Sequence, residues 1–231
     1  MDKIKIPTHL GIIIDGNRRW AKKHNLPTIE GHRQGFRNVN KISEFARKLG
    51  VKILTIYVFS TENWKRPKKE IKYLMKLLSL AFNKKYIDKL IKDEIQIRIL
   101  GEIEKLPKKL QQKIKKAEEK TKSGKKGILN LAISYGGRAE IIQALKKIIK
   151  KKIPADKITE KVISENLWTA GLPDPDLIIR TGGRLRLSNF LTWQSTYSEL
   201  YFTDKYWPDF TEKDLLDAFA DFSKRKRNFG R

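Results

Sequence analysis

An aspartate and two arginines follow the first apolar run of the chain, in the stretch GIIIDGNRRWAKK at residues 11–23. An aspartate that only capped the next helix would explain Asp15 but would leave Arg18 and Arg19 unexplained. Arginine holds phosphate oxygens with a planar, bidentate fork, whereas a carboxylate repels phosphates unless a cation lies between them. Mg²⁺ prefers one or two carboxylates together with substrate phosphates. The stretch therefore predicts a phosphate site in which Asp15 holds Mg²⁺.

Three other apolar runs also end in polar segments that carry glycine or arginine. These segments are STENWKR at 60–66, SYGGR at 134–138 and RTGGR at 180–184. Glycine turns let backbone N–H groups approach an anion, and ligands of parallel sheets bind beyond the carboxyl ends of the strands. We therefore expect the segments to meet Asp15 at one edge of a sheet, where they would bind more than one phosphate group.

The elements that must position these segments alternate along the chain. Strands are predicted at 10–14, 52–59, 95–100, 128–134, 176–180 and 199–203, and helices at 33–49, 69–92, 107–122, 138–151, 159–169 and 211–227. Continuous apolar strands separated by helices predict an α/β fold with a mostly parallel central sheet flanked by helices. Because no linker of domain-separating length appears, we expect one domain spanning residues 1–231.

The composition excludes several classes of protein. With 39% hydrophobic and 33% charged residues, the 231-residue chain is predicted to be globular rather than disordered. The lack of cysteine excludes disulfides and thiolate metal sites, which suits a reducing cytoplasm. No signal peptide is evident, and no apolar run reaches the roughly 18 residues that a membrane span needs. The expected location is the cytoplasm, with attachment to a membrane surface left open.

The net charge of +25 indicates an anionic partner, and composition alone favours nucleic acid. Most of the excess is lysine spread along helices, which is typical of solvated faces. A nucleic-acid-binding protein would explain the charge but not an acid at the centre of an arginine cluster. Its aromatic residues should also follow a basic surface, whereas here they crowd into 189–202 and 206–210. We therefore expect no specific nucleic acid partner.

Five blocks of the sequence resemble the cis-prenyltransferases, the undecaprenyl and dehydrodolichyl diphosphate synthase family. They lie at 9–21, 31–35, 54–67, 134–141 and 173–210, in the order of the family. The resemblance implies the undecaprenyl diphosphate synthase-like fold and a Mg²⁺-dependent reaction. Isopentenyl diphosphate units would be condensed onto farnesyl or geranylgeranyl diphosphate, giving a polycis-polyprenyl diphosphate, the precursor of a lipid glycosyl carrier. It also implies a homodimer and, for product release, peripheral contact with a membrane.

The motif positions carry the family's functional residues onto this chain. Asp15 would be the essential acid and would hold Mg²⁺, with Glu199 as a second metal-linked carboxylate. Asn63 takes the position linked to proton removal; because an amide is a poor base, we interpret it as a polariser or relay. The residues expected to bind the substrates are Gly16, Asn17, Arg18, Arg19, Trp20, Thr28, His32, Ser60, Thr61, Glu62, Trp64, Arg66, Arg180, Arg186, Leu187 and Ser188.

Four positions depart from the family pattern. Arg184 replaces the usual Glu of TGGE, and Leu185 replaces a His that many bacterial members carry near the metal. We therefore expect the metal to rest on the two carboxylates, phosphates and water. Thr28 stands where an Arg often grips the allylic diphosphate, and Arg18 stands where Gly is common. We expect Arg18 to compensate for Thr28.

Product length and assembly give further expectations from the resemblance. Helix 69–92 would line the product channel, and Val58, where a smaller Ala is common, would form part of its floor. The aromatic segment 189–202 would pair two chains. The end of the chain, KRKRNFGR, keeps the spacing of an Arg-x-Gly element that reaches the partner's site in family members.

Two other functions were weighed against an active synthase. A trans-prenyl synthase needs DDxxD boxes, which are absent. A non-catalytic accessory subunit would lack key residues, but Asp15, Asn63, Arg180 and Arg186 are all present. The accessory subunit and the basic nucleic-acid-binding protein remain the alternatives.

Overall fold

The computed structural model of the chain describes residues 4–226. In that part of the chain six strands form one sheet in the order β3–β4–β2–β1–β5–β6, and every pairing is parallel. The strands are β1 His9–Ile13, β2 Ile53–Ser60, β3 Ile95–Leu100, β4 Gly127–Tyr135, β5 Leu177–Arg180 and β6 Glu199–Phe202. The sheet confirms the predicted α/β class and all six predicted strands, with small shifts at their ends.

Helices connect the strands and cover the sheet. They are α1 Asn17–Lys23, α2 Thr28–Lys48, α3 Lys68–Ala81, α4 Lys84–Lys92, α5 Lys108–Thr121, α6 Gly137–Lys150, α7 Glu160–Ser164 and α8 Glu212–Lys224. Among residues 4–226, none is long and apolar enough to cross a membrane.

Three helix predictions are corrected by the structure, and short α1 was not predicted at all. The helix predicted at 33–49 already begins at Thr28, and the one predicted at 159–169 ends at Ser164. The single helix predicted at 69–92 is two helices, separated at Phe82 and Asn83. Asn83 begins α4 because its side-chain Oδ1 accepts a hydrogen bond from the Tyr86 backbone N–H at 3.1 Å. An Asn cap of this kind starts a new helix inside an otherwise continuous apolar pattern.

The alternation of buried side chains divides the core between the two faces of the sheet. On one face Leu10, Ile12 and their counterparts on the other strands pack against α2, α3, α4, α5 and α8. On the other face Ile13, Tyr57 and Phe190 belong to a smaller, partly aromatic cluster. Strands that are buried on both faces give continuous apolar runs, which is why the sequence predicted them well.

The strand register brings the polar segments to one side of the sheet. Ile13, two residues before Asp15, pairs with Tyr57 of β2 and with Arg180 of β5. We call this side the carboxyl edge, and the side where the strands begin, near Ile53, Ile95 and Gly127, the amino edge. The expected convergence at the carboxyl edge is thus present.

Candidate active site

Asp15 lies directly beyond β1, and its carboxylate is held by three neighbours. The Gly16 N–H donates to Oδ1 at 2.6 Å, Arg180 Nη2 donates to Oδ2 at 2.9 Å, and Arg19 Nη2 lies 3.1 Å from Oδ1. Partial burial raises the pKa of Asp15, but the two guanidinium groups outweigh it and hold that pKa below its usual value. Asp15 is therefore an ionised carboxylate at the carboxyl edge.

The turn after Asp15 depends on a glycine. Gly16 has φ +108°, which side chains other than glycine rarely adopt, and an added Cβ would lie 2.8 Å from Tyr206 Cδ1. This turn starts α1, which places Arg19 beside Asp15. The Arg19 guanidinium also donates to the Gly182 carbonyl oxygen at 2.6 Å and lies over the Tyr206 ring. Contacts with the loops after β5 and β6 thereby hold the Arg19 side chain in place.

Arg180, the last residue of β5, forms hydrogen bonds with the loop that follows the strand. Its Nη1 donates to the Arg186 carbonyl oxygen and, at 2.7 Å, to Ser188 Oγ. The residue is only 4% exposed, and its buried Nε has no hydrogen-bond partner. Because a buried guanidinium needs a counter-charge, the ion pair with Asp15 holds the two strand ends in one arrangement.

A second charged group centres on Glu70 in the first turn of α3. Its Oε1 lies 3.1 Å from both His32 Nε2 and Arg66 Nη1, and 4.0 Å from Arg18 Nε. These three basic residues come from α2, from the loop before α3 and from α1. Burial lowers the pKa of His32, and the hydrogen bond to Glu70 opposes that shift. Glu70 thus gathers three basic side chains around one buried carboxylate.

Glu70 was missed by the sequence analysis. An acidic residue in the first turn of a helix is common, since it complements the helix dipole. The available signal was its spacing of four residues from Arg66, which allows an ion pair along the helix. That signal did not show that His32 and Arg18 would join the pair.

Two open cavities of ≈ 750 and ≈ 520 Å³ adjoin at these charged groups. Ile14, Asp15, Asn17 and Arg66 line both, so Asp15 lies between the two spaces. Thirteen of the predicted site residues line one or both cavities: Asp15, Gly16, Asn17, Arg18, Arg19, Thr28, His32, Ser60, Glu62, Asn63, Arg66, Arg180 and Ser188. Two adjoining cavities lined by arginine can receive two anionic ligands side by side.

The comparison with known proteins decides the family. The family profile described as putative undecaprenyl diphosphate synthase, a prenyltransferase family, matches residues 13–230. The chain belongs to this family. It is 49% identical over 229 residues to an isoprenyl transferase of Bacillus thuringiensis subsp. konkukian, covering 97% of this chain and 88% of that protein. An isoprenyl transferase of Streptococcus pneumoniae is also 49% identical, over 98% of this chain and 92% of that protein.

Solved structures of the prenyltransferase family share the fold. Lavandulyl diphosphate synthase from Lavandula x intermedia, in complex with dimethylallyl diphosphate, superposes with a TM-score of 0.93. It is 38% identical and covers 98% of this chain and 99% of that one. A probable undecaprenyl diphosphate synthase from Campylobacter jejuni gives a TM-score of 0.80 at 36% identity over the full length of both chains. The predicted family is thereby confirmed, and a prenyltransferase is favoured over the nucleic-acid interpretation.

Six predicted site residues of this prenyltransferase lie outside the two cavities: Trp20, Thr61, Trp64, Arg186, Leu187 and Glu199. Trp20 stacks on His24 and donates from Nε1 to Asp209 at 2.6 Å. Trp64 packs on Phe59 and donates from Nε1 to Ser134 Oγ at 3.0 Å. Both tryptophans therefore support loops beside the site.

Glu199 is not brought to Asp15 within one chain. It begins β6 and pairs with Leu177, at the amino edge of the sheet, whereas Asp15 lies beyond the carboxyl edge. Three strand steps, or about 10 Å, separate Glu199 from the level of Ile13, and Asp15 lies beyond that level. Glu199 instead forms an ion pair with Arg225 at 2.9 Å. The expected metal site with two carboxylates is therefore not formed by a single chain.

The donor set around Asp15 still fits Mg²⁺. Within residues 4–226 no group of three or more acidic, histidine or cysteine side chains could hold a metal ion. Asn17 lines both cavities beside Asp15, but its Oδ1 is buried without a hydrogen-bond partner and faces Gly35 of α2. Asp15 together with substrate phosphates and water is a ligand set that Mg²⁺ accepts.

Two expectations about the channel and the end of the chain stay predictions. Val58 lines the cavity beside Asp15 and packs against the main core cluster, where a growing apolar chain would pass it. The expected tail contact at 227–231 lies outside the described residues.

Proposed function

We propose that this prenyltransferase condenses isopentenyl diphosphate onto an allylic diphosphate, with a new cis double bond in each cycle, and that it requires Mg²⁺. The observation that carries the proposal is the pair of cavities that share Asp15 and Arg66. Two diphosphates held side by side place the allylic carbon next to the attacking double bond.

The allylic diphosphate is assigned to the cavity around α1. Its lining includes Arg18, Arg19 and Arg66, and His32 lies in the adjoining wall. When diphosphate leaves the allylic carbon, its charge grows, and prearranged guanidinium groups stabilise that charge without reorganising. Mg²⁺ held by Asp15 would supply further positive charge to the same phosphate oxygens. Arg18 lines this cavity with Thr28, as expected if it compensates for the arginine that Thr28 replaces.

Isopentenyl diphosphate is assigned to the other cavity, beside Arg180 and Ser188. Asn63 lines that cavity, and its Oδ1 accepts the Ser60 N–H at 3.1 Å, which leaves its NH₂ group as a donor. An amide in this state cannot remove a proton. Asn63 is therefore assigned to orient a phosphate oxygen or a water molecule that takes the proton lost after attack.

The hydrocarbon tail is assigned to an apolar cavity of ≈ 130 Å³ on the main core face, between α2, α4 and the sheet. Leu54, Ile97 and Leu131 from three neighbouring strands line it. Burying an apolar chain there is favourable because each buried CH₂ contributes about 0.8 kcal/mol.

A homodimer and contact with a membrane are part of the proposal. Ile142, Leu145 and Ile149 form an exposed apolar stripe along α6, 54%, 41% and 74% exposed respectively. Homodimer interfaces bury surface of this kind. The net charge of +25 and a lipid product would favour contact with an anionic membrane.

The test is incubation with labelled isopentenyl diphosphate and, in turn, geranyl, farnesyl or geranylgeranyl diphosphate. We expect Mg²⁺-dependent label in polyprenyl products, whose size and starter preference the assay also reveals. An accessory subunit would incorporate no label on its own. Absence of incorporation with every starter in the presence of Mg²⁺ would overturn the proposal.

A further inference from the structure

The apolar cavity between α2 and α4 has charged residues at one end. Its charged lining consists of Glu44, Arg47, Lys52, Lys89 and Asp93. Lys52 directly precedes β2, and Asp93 lies two residues before β3. The charged end is therefore at the amino edge, opposite to Asp15.

Two of these charges join the helices on either side of the cavity. Arg47 Nη2, near the end of α2, lies 2.7 Å from Asp93 Oδ2, just after α4. The side chains of Arg47 and Asp93 are 31% and 24% exposed, so the pair is partly desolvated. Such a pair resists separation more than a fully exposed pair, because each charge would lose its partner without full solvation.

A second ion pair lies about one helical turn nearer the site. Lys89 Nζ of α4 lies 2.6 Å from Glu44 Oε2 of α2. Glu44 lies about one turn before Arg47 on α2, and Lys89 of α4 lies about one turn before Asp93. Because both helices run toward the amino edge, the two ion pairs lie one above the other. We call the stacked pairs Glu44–Lys89 and Arg47–Asp93 the α2–α4 latch.

The latch holds α4, a short helix that begins separately from α3. Because α4 is separated from α3 at Phe82 and Asn83, its position does not simply follow from α3. Apart from the latch, a T-shaped contact of Phe36 with Tyr86, with ring centroids 6.0 Å apart, links α2 to α4 farther from the amino edge.

We propose that the α2–α4 latch is the stop that limits product length. The proposal rests on the proposed function, because it assumes that an apolar chain grows from Asp15 toward the amino edge. Each added isoprene unit gains apolar contacts until the tail reaches the latch. Beyond that point the tail must separate two ion pairs and leave charged groups beside hydrocarbon, which is unfavourable. Elongation then ends, and the product is released.

The decisive variant is Arg47→Met with Asp93→Ala, which replaces the less exposed of the two pairs by apolar side chains. We expect the product distribution to shift upward by at least one isoprene unit, with an unchanged KM for the allylic starter. A second variant, Glu44→Gln with Lys89→Met, removes the other pair and should shift the distribution in the same direction. It provides the test if the first variant does not fold.

The matched control is Lys84→Ala with Asp88→Ala. This removes an exposed ion pair of the same helix that does not line the cavity, so product length should not change. Reversal of the same pair, Arg47→Glu with Asp93→Arg, should keep the wild-type product length, because an ion pair is still present at this position. Longer products in the control as well, or wild-type lengths in both latch variants, would overturn the latch. A wild-type protein that elongates no starter would instead refute the proposed function.

Discussion

Arg180 and Asp15 form an ion pair of 2.9 Å between the ends of two neighbouring strands, and only Arg180 is fully buried. The Asp15 carboxylate therefore serves both the fold and the cavities. It neutralises the buried guanidinium of β5, and it presents ionised oxygens to the cavities on the other side. A substitution of Asp15 should affect both the stability of the fold and the reaction, and the two effects can be separated.

Asp15→Asn should lower turnover by at least about a hundredfold, because one prearranged charge contact at a reacting group contributes on that scale. The amide keeps an oxygen that can accept from Arg180 but not the counter-charge of that buried guanidinium, so the variant should fold with a lower free energy of unfolding. Incorporation of labelled isopentenyl diphosphate measures the loss, and circular dichroism checks the fold. Removal of Mg²⁺ by a chelator should abolish wild-type activity and add little to the defect of the variant. A variant that keeps half of the wild-type activity, and whose activity still depends on Mg²⁺, would refute the role of Asp15.

Glu70→Gln should raise the KM for both diphosphates, because Arg66 lines both cavities, Arg18 lines the allylic cavity and His32 lines the other one. Hydrogen bonds to charged groups contribute about 1.5–3 kcal/mol, which corresponds to roughly ten- to hundredfold in affinity. Without the carboxylate, Arg66 and His32 lose the partner that holds them toward the cavity. Steady-state kinetics with each substrate varied in turn measures both KM values.

The control for Glu70 is Glu30→Gln, since the Glu30 pair with Arg33 is exposed and 3.5 Å long. That variant should behave as the wild type. A lower KM for the allylic substrate in Glu70→Gln would show that the carboxylate competes with the substrate rather than positioning its ligands.

Arg19 and Arg186 should act on different substrates. Arg19 lines the cavity assigned to the allylic diphosphate, whereas Arg186 follows β5 in the loop anchored by Arg180, with an exposed side chain. Arg19→Ala should weaken binding of the allylic partner, and Arg186→Ala that of isopentenyl diphosphate, each by roughly ten- to hundredfold. Isothermal titration with non-reactive analogues measures both affinities. Equal losses for both ligands in both variants would contradict the division.

The free energy of unfolding should decrease as the pH falls below about 6.5, the usual pKa of histidine. His9 is buried between the Pro173 carbonyl and Thr55, and burial lowers its pKa more than the hydrogen bond to Pro173 raises it. The unfolded chain therefore takes up a proton before the folded chain does, and stability is lost down to the folded pKa. One such group changes the free energy by at most about 1.4 kcal/mol per pH unit.

Chemical denaturation at pH 7.5 and 5.5 measures this dependence. His32, whose pKa is also lowered by burial, should contribute in the same direction. His9→Gln should reduce the slope, because it removes the buried imidazole. An unchanged slope in His9→Gln would assign the dependence to other groups.

The sequence predicted the sheet because its strands are buried on both faces and appear as continuous apolar runs. It also predicted the meeting of Asp15, Arg66 and Arg180, since carboxyl ends of parallel strands share one edge. It could not predict the role of Glu70, because three of its contacts join residues from separate elements. It linked Glu199 to the metal from its motif position, although the predicted strand 199–203 begins at this residue and so places it at the amino edge.

The position of β1 between β2 and β5 has a consequence for the time at which the site forms. Arg180 and Asp15 are 165 residues apart in sequence, and the pairing of β1 with β5 is what joins them. Contacts of such long range form slowly, because a large loop must close before they stabilise the chain. During synthesis the ribosome must therefore have released more than three quarters of the chain before Asp15 can meet its partner. Folding intermediates that contain only β1 to β4 should thus lack the cavity assigned to isopentenyl diphosphate, which needs Arg180 and Ser188.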